Sequence, residues 1–579
     1  MVTTARRRSC VHVVDVLFLS AVVFVPMALA QSPPDSGTIL RQIDPAPPSP
    51  NTSTPTIQLP VETRPALPAT TNMTIEVRGF RVTGSTVFNA SQLLPLLTDS
   101  AGSALNIQEL DAIADRITRF YRDRGYLVAR AYLPQQEVTD GIVELAVIEG
   151  FYSGVQVQNN SLLTSDHFAR YLKPLQQSKV IHDRPLERSL LLISDAAGVG
   201  TITPLLAPGD RVGGSDLSIV FGAAPQFTGS IDVDNFGGKT NGERRMGFAF
   251  NINSPFGRGD QFSVRGIFTP EFMQGAGDPH GKTNFGRVSY ATPLGHRGLR
   301  GGLAYSDLRY KIGDPFAALD ASGDAKIISA YFAYPFIRSS NANLYGQLAY
   351  DGKRLVDSSL ANLALFGAND VEKKLNTVTW ALTGDGQDYF LHGGRTRYGI
   401  AITAGDLKIQ TPGARADDDA NLRTHGSFSK AYLNVERDQR ISETWTIHAS
   451  ASAQESNKNL DGSEEFPVAG PHGVRAYAQG YLSGDRGYLT TLELRKTFER
   501  AQWLQLLAFF DHGGVRIDRD PLPSNDDNNR TLNGGGLGFT AALPNNFALR
   551  FHHAWRLNAD EPAKREARHQ TWFQAVKYF

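Results

Sequence analysis

The chain has 579 residues and balances 58 Lys and Arg against 58 Asp and Glu, a neutrality that excludes the basic excess expected of a dedicated nucleic-acid binder. Beyond residue 30 no apolar run reaches the ~18 residues of a membrane-spanning helix, which excludes a polytopic helical membrane protein; a single cysteine, Cys10, excludes a disulfide framework and a cysteine-based zinc site. A content of 55 Gly, 32 Phe and 19 Tyr suits strands and turns better than helical bundles.

Residues 1–30 read as a signal peptide. Arg6, Arg7 and Arg8 precede an apolar stretch over 16–27, and Ala28-Leu29-Ala30 gives a small-x-small cleavage site before Gln31. An uncleaved anchor helix is the alternative. Cleavage would remove the cysteine, which fits an oxidising compartment. Residues 35–44 suit a short helix capped by Asp35 or Ser36, with Ile39, Leu40 and Ile43 on one face. Such a helix depends on packing for its stability. Residues 45–73, with eight prolines between 45 and 68, form a semi-extended linker.

Residues 74–150 follow a β-α-α-β-β order: a strand over 74–82, helices over 89–97 and 107–124, strands over 126–133 and 142–148. In the second helix Leu110, Ile113, Ala114, Ile117 and Phe120-Tyr121 share one face. The order repeats more loosely over 151–222, with a strand at 152–157, helices at 165–172 and 185–195, and strands at 200–206 and 215–221. Two tandem α/β modules follow from the repeat; one irregular α+β domain is the alternative.

Residues 223–579 alternate in short strands separated by Gly, Asn, Asp and Pro. In 377–383 (TVTWALT) Val378, Trp380 and Leu382 take one face, Thr and Ala the other. At about 22 residues per strand and connection, this stretch makes a transmembrane β-barrel of about 16 strands. A soluble sandwich or propeller is the alternative. No catalytic, cofactor or metal constellation is visible. Asp417-Asp418-Asp419 and Asp526-Asp527 lack calcium-loop spacing and read as solvated loops. The Gly534–Gly538 run reads as small residues facing a neighbouring strand. His552 and His553, adjacent on a strand, point to opposite faces.

Several of these stretches resemble one family. FYRDRGY at 120–126, ARAYLP at 129–134 and Glu149-Gly150 resemble the first POTRA domain of two-partner secretion outer-membrane transporters, the TpsB class; 186–188, 194–199 and 208–217 resemble the second. Asp234-Asn235-Phe236-Gly237, the NSPFGRGD run at 253–260 and SYATPLG at 289–295 are similar to barrel motifs of the same transporters. Val474-Arg475-Ala476-Tyr477, followed by LSGDRGY at 482–488, resembles the tip of the long sixth loop of this superfamily. Phe509-Phe510-Asp511 resembles the Phe-x-Asp motif on its inner wall. The final Phe579 is similar to the assembly signal of outer-membrane barrels, with Lys577 departing from the apolar alternation.

The resemblance implies a mainly β protein with a 16-stranded barrel and two POTRA domains in the periplasm of a Gram-negative cell. It implies that Arg475 folds into the lumen and pairs with Asp511, beside Phe509. It implies a plug helix at 35–44 and a secreted exoprotein partner of TpsA type, β-helical, received unfolded. Outer-membrane lipid would be the other partner, with no cofactor, no enzymatic activity and no nucleic acid. A barrel-assembly factor of the same superfamily and a passive porin-like channel are the alternatives. Ala476 stands where the family carries glycine, and alanine would be strained there if the position requires positive φ.

Overall fold

The computed structural model describes residues 34–43, 74–274, 281–522, 527–557 and 567–579. The signal-peptide and linker assignments, over 1–30 and 45–73, lie outside the described residues, as does Asp526. The first described element is helix α1 (Ser36–Ile43). Asp35 caps it, with Oδ1 accepting from Thr38 N (2.9 Å) and Thr38 Oγ1 (2.8 Å).

The stretch from 75 to 148 holds β1 (Ile75–Val77), β2 (Gly79–Thr83), α2 (Ala90–Leu93), β3 (Ser103–Leu105), α3 (Ile107–Arg122), β4 (Arg130–Tyr132) and β5 (Ile142–Ile148). The strand expected over 74–82 divides at Arg78. The amides of Arg78 and Gly79 both donate to Gly141 O (2.7 and 3.4 Å), so β1 turns off to pair with β3 while β2 runs parallel to β5. The helix expected over 89–97 ends early as well. Asn89 and Gln92 close a capping box, but Pro95 brings no amide for an α-helical bond and the chain tightens into a 3-10 turn over Leu94–Leu96. The apolar face of α3 covers Val143, Leu145 and Val147 of β5, each buried side chain stabilising by about 1.5–3 kcal/mol.

Glu149 is the polar anchor of this unit. It accepts from Thr86 N (2.7 Å), Val87 N (2.8 Å), Tyr121 Oη (2.8 Å) and the Thr86 hydroxyl. Burial pushes its carboxyl up, but these hydrogen bonds outweigh burial and hold it below the usual glutamate range. The resulting stabilisation is present above the unfolded pKa and is lost as pH falls through the lower folded value. Glu149→Ala is expected to cost about 2–3 kcal/mol by orphaning these donors, seen as faster amide exchange over 74–150. Unchanged exchange would contradict this role.

A second unit repeats the topology: β6 (Phe151–Asn159), α4 (Ser165–Gln176), α5 (Asp183–Ser194), β7 (Ile202–Pro208) and β8 (Gly214–Phe221). Strand β8 lies in the middle, parallel to β6 and antiparallel to β7. Phe168, Leu172, Leu190, Ile193, Leu217 and Phe221 form its core.

Sixteen further strands, all antiparallel, close into a barrel. They are β9 (Phe227–Asp234), β10 (Arg245–Asn253), β11 (Gln261–Phe268), β12 (Lys282–Pro293), β13 (Arg300–Lys311), β14 (Ser322–Arg338), β15 (Ala342–Ser358), then, after helix α6 (Leu360–Phe366), β16 (Asp370–Asp388) and β17 (Gly394–Ile409). Helix α7 (Pro412–Ala420) leads to β18 (Gly426–Arg440) and β19 (Trp445–Ser456). The short strands β20 (Phe466–Pro467) and β21 (Ser483–Gly484) lie in the connection to β22 (Arg486–Phe498) and pair with each other. The barrel ends with β23 (Ala501–Arg516), β24 (Asn529–Leu543), β25 (Phe547–Arg556) and β26 (His569–Tyr578). Pairing of Gln574 to Tyr578 with Asp234 to Ser230 closes β26 on β9. Val378 and Trp380 are exposed on the outer wall while Thr377 is buried inside. Leu303, Phe332 and Leu348 extend that outer apolar band, which suits hydrocarbon rather than water.

The acidic run at 417–419 is not a solvated loop throughout. Asp418 is buried and accepts from Thr424 N (2.9 Å), Thr424 Oγ1 (2.6 Å) and His425 N (2.9 Å), fastening the loop after α7. Its three local donors cover the carboxylate that the sequence pattern assigns to water. Asp527 is exposed and pairs with Arg530 (2.6 Å).

The second α/β unit is fixed to the short-turn rim of the barrel. Asp195, after α5, takes a bidentate pair from Arg338 Nε (2.9 Å) and Nη2 (2.7 Å), and its carbonyl accepts from Arg300 (3.0 Å). Thr164 N donates to Gly257 O (2.9 Å) in the turn between β10 and β11.

Candidate functional site in the barrel lumen

Helix α1 lies against the inner wall. Ile39, Leu40 and Ile43 are buried against Leu308, Tyr310, Ala325 and Leu355 of β13, β14 and β15. Its first turn is tied to the same wall: Ser36 N donates to Asp357 Oδ1 (2.8 Å) and Ser36 Oγ to Asp357 Oδ2 (3.1 Å). On the other side the helix meets the connection between β19 and β22, residues 457–485. Gly37 permits this approach, since a Cβ there would lie 2.6 Å from Ser463 N. Arg41 Nη1 donates to Glu465 O (2.6 Å).

Three carboxylates of that connection are met by cations. Lys373 of β16 bridges Asp461 (2.8 Å) and Asp35 (3.2 Å). Lys353 of β15 and Lys430 of β18 converge on Glu464 (2.7 and 2.8 Å). Arg41 pairs with Glu465 (3.5 Å). Burial pushes the Asp461 and Glu464 carboxyls up, but the lysines beside them prevail and hold both at about 2. Both are depressed below their unfolded values, so their stabilisation is complete above the ordinary carboxylate range and lost only as pH falls toward 2. The helix and the loop are therefore clamped by shared charges, in the low-dielectric setting where paired ions hold geometry.

The loop then reaches the opposite wall. Val474, Ala476 and Tyr477 are buried, and Arg475 is 5% exposed. Arg475 donates from Nε (2.8 Å) and its backbone N (3.1 Å) to Asp511 Oδ2, and from Nη2 to Asp511 Oδ1 (2.7 Å). Its Nη1 reaches Glu493 Oε1 (2.7 Å). The guanidinium lies 3.5 Å above the Phe509 ring, a cation–π contact. Thr491 Oγ1 donates a further bond to Asp511 (2.9 Å), and Trp572 Nε1 donates to Arg475 O (2.8 Å). Arg556 covers Tyr477 at 4.4 Å.

Sequence reasoning named Val474, Arg475, Ala476, Tyr477, Phe509 and Asp511, and the structure brings all six together. It did not name Glu493, Trp572 or the lysines at 353, 373 and 430. Glu493 carried a readable signal: in Leu492-Glu493-Leu494 it is a charge on the face opposite two apolar residues, which a membrane barrel turns inward. The strain expected at Ala476 is absent, because its φ is not positive. Room for the methyl comes from the facing strand: a Cβ at Gly534 would lie 2.7 Å from Ala476 Cβ, and one at Gly536 would lie 2.4 Å from the Phe509 ring. Of the histidine pair, His552 is buried beside Phe509 (5.6 Å between rings) while His553 bonds Thr571 Oγ1 (2.8 Å). His472 of the loop is pushed down to about 4 by burial and the nearby Arg550 and Arg245, and is neutral at physiological pH.

The family model for haemolysin secretion/activation protein ShlB/FhaC/HecB matches residues 213–541, and that for the ShlB-type POTRA domain matches residues 75–150. The heme/hemopexin transporter protein HuxB of Haemophilus influenzae (strain 86-028NP) is 25% identical over 494 residues, covering 84% of each chain. The outer membrane transporter CdiB of Escherichia coli O6:K15:H31 (strain 536 / UPEC) is 25% identical over 484 residues, covering 80% of this chain and 78% of its own. The solved structure of CdiB from Escherichia coli superposes with a TM-score of 0.70 at 20% identity, over 90% of this chain and 93% of that one. CdiB from Acinetobacter baumannii gives 0.60 at 17% identity, over 93% and 95%. Both share the fold.

Proposed function

The chain belongs to the haemolysin secretion/activation protein family ShlB/FhaC/HecB, and from that premise we propose how it works as an outer-membrane transporter of two-partner secretion. Its partner is a secreted exoprotein of TpsA type, β-helical once folded, which arrives unfolded in the periplasm. Residues 74–150 and 151–222 are the two POTRA domains that receive it, and residues 223–579 are the barrel that conducts it outward. The segment 35–44 is a plug, and the Arg475 tip holds the sixth loop inward at rest. The observation that carries this reading is the filled bore: a helix and a loop with their own ion pairs occupy a closed barrel. A passive porin has no use for either, and two POTRA domains favour secretion over barrel assembly.

The exposed strand edges say where an extended client would add. Strand β7 carries Pro204 and Pro208, which blunt an edge. Strand β6 has no proline and no charge, and Gln156, Val157 and Gln158 are all exposed. Among the described residues no strand pairs with its outer side. Asn160 N donates to Phe221 O (3.0 Å), so by strand alternation the backbone of Val155, Val157 and Asn159 faces away from β8. Strand addition there would supply main-chain affinity without requiring a fixed client sequence.

The test is export of a TpsA-type exoprotein co-expressed with this transporter, sought first among the neighbouring genes. Deleting 74–222 is expected to abolish export while the barrel still inserts; a porin would keep its conductance and show no export function to lose. Val157→Pro removes an outward amide without touching the β6/β8 ladder and is expected to reduce export about tenfold, the weight of one or two lost hydrogen bonds. Undiminished export by this variant would move the docking edge elsewhere.

A further inference from the structure

Among the described residues the outer wall carries a groove that lies outside the lumen. Along a row of lipid-facing positions, register places Leu433 beside Ala453, Ala453 beside Tyr488, and Tyr488 beside Gly514. Leu433 and Tyr488 stand exposed, but Ala453 and Gly514 contribute almost no side chain. Gly514 lets the Tyr488 ring lie flat, since a Cβ there would come within 2.9 Å of it. The result is a groove of about 610 Å³ with largely apolar walls.

At the long-loop end the groove is bordered by arginines. Arg486 and Arg516 are direct cross-strand partners, an arrangement that repels unless an anion lies between them. Glu455 neutralises Arg486 (2.6 Å). Arg516 makes no ion pair among the described residues; its Nε reaches Asp518 O at 3.3 Å. Charged side chains on a lipid-facing wall are tolerated near the membrane interface and costly deeper down. The rim with the long connections is the one that faces outward in the transport reading, so these arginines stand at the headgroup level of the outer leaflet.

We propose that this groove binds a phosphorylated, multi-acyl glycolipid of the outer leaflet, lipid A, with acyl chains along Leu433, Ala453 and Tyr488 and a sugar phosphate held first by Arg516 and bridging to Arg486, where it takes the place of the Glu455 carboxylate (2.6 Å). Charge complementarity selects this occupant. A guanidinium pair meets a phosphate with several parallel hydrogen bonds, while the trough below accepts hydrocarbon. The site rests on the outer-membrane placement and on that orientation, and on no step of transport.

The test uses the full-length protein in detergent, titrated with bisphosphorylated lipid A, dephosphorylated lipid A or phosphatidylglycerol and read by native mass spectrometry. The wild type is expected to retain bisphosphorylated lipid A about tenfold more tightly than either other lipid. The double substitution Arg486→Gln with Arg516→Gln is expected to erase that preference. Ala453→Trp, which fills the trough and leaves the charges intact, is expected to weaken lipid A about tenfold as well. Heat-modifiable migration on gels confirms that each variant is a closed barrel. Equal binding of lipid A to wild type and to the double variant overturns the proposal, and so does phosphatidylglycerol binding as tightly as lipid A. Export, measured in the same strains, bears on the transport reading alone, so the two fail separately.

Discussion

Arg475→Ala is expected to cut export by at least tenfold while leaving the barrel assembled. Asp511 is fully buried and takes three hydrogen bonds from Arg475, two of them from the guanidinium. Removing one partner of a buried pair typically costs about 3–5 kcal/mol, because the remaining charge is left unpaired. Glu493 is better protected, since Arg495 still reaches it at 2.6 Å; Asp511 keeps no cation, only the Thr491 hydroxyl (2.9 Å) and the backbone N–H of residue 475 (3.1 Å). The strain therefore falls on one carboxylate, and the loop tip should leave the wall to relieve it. Limited proteolysis of intact cells reads this directly, with new cleavage between residues 457 and 485. Asp511→Asn keeps the shape and should produce a smaller loss of export. Arg475→Lys should behave nearly as badly as alanine, because one ammonium cannot bridge Asp511 and Glu493 in the planar geometry that the guanidinium provides. Wild-type export and proteolysis in Arg475→Ala would show that the tip is not held by this pair.

The second large effect concerns the helix. Deleting residues 35–44 is expected to raise the conductance of the reconstituted channel several-fold, and Ile39→Asp should approach the same state. Ile39 is fully buried in the apolar cluster formed with β13, β14 and β15. An aspartate there would have to be desolvated without a partner, at a cost of several kcal/mol. Each 1.4 kcal/mol shifts the closed-to-open ratio about tenfold. The shift is toward the open bore, because only the docked helix buries that side chain. Lys373→Met separates the contributions: it releases Asp35 and Asp461 together, loosening helix and loop at once, and should raise conductance further than loss of the Ser36 to Asp357 bonds alone. A conductance indifferent to the deletion would remove the helix from any role in closing the channel.

The POTRA helices and the barrel texture were readable because they depend on local periodicity. Leu110, Ile113, Ala114, Ile117 and Tyr121 recur at helical spacing and are buried in the structure, while Phe120 of the same predicted face is half-buried. Val378 and Trp380 alternate with Thr377 and lie on the outer wall. The errors in the α/β units arise where a distant group captures the backbone or a residue inside the run withholds its amide. Gly141 splits the strand at Arg78, and Pro95 shortens the helix that Asn89 starts. Asp418 misled because an acidic run has the same composition whether water or three nearby donors satisfy it. Glu493 was overlooked because resemblance directs attention to one acid, whereas the lumen assembles two around a single guanidinium.

The amino-acid order alone determined that these residues make alternating strands and two small α/β units, since side-chain period and turn chemistry act over a few neighbours. Resemblance to the transporter family, rather than local pattern, pointed to the loop tip and its partner strand. Only the folded chain decided which acids and lysines meet inside the bore, because register and closure join residues as far apart as Ser36 and Asp357, 321 positions along the sequence. The same holds for the Ala476 methyl seated against Gly534 and for the open edge of β6. Each is a property of two surfaces in contact, and neither surface records in its own local pattern what it will touch.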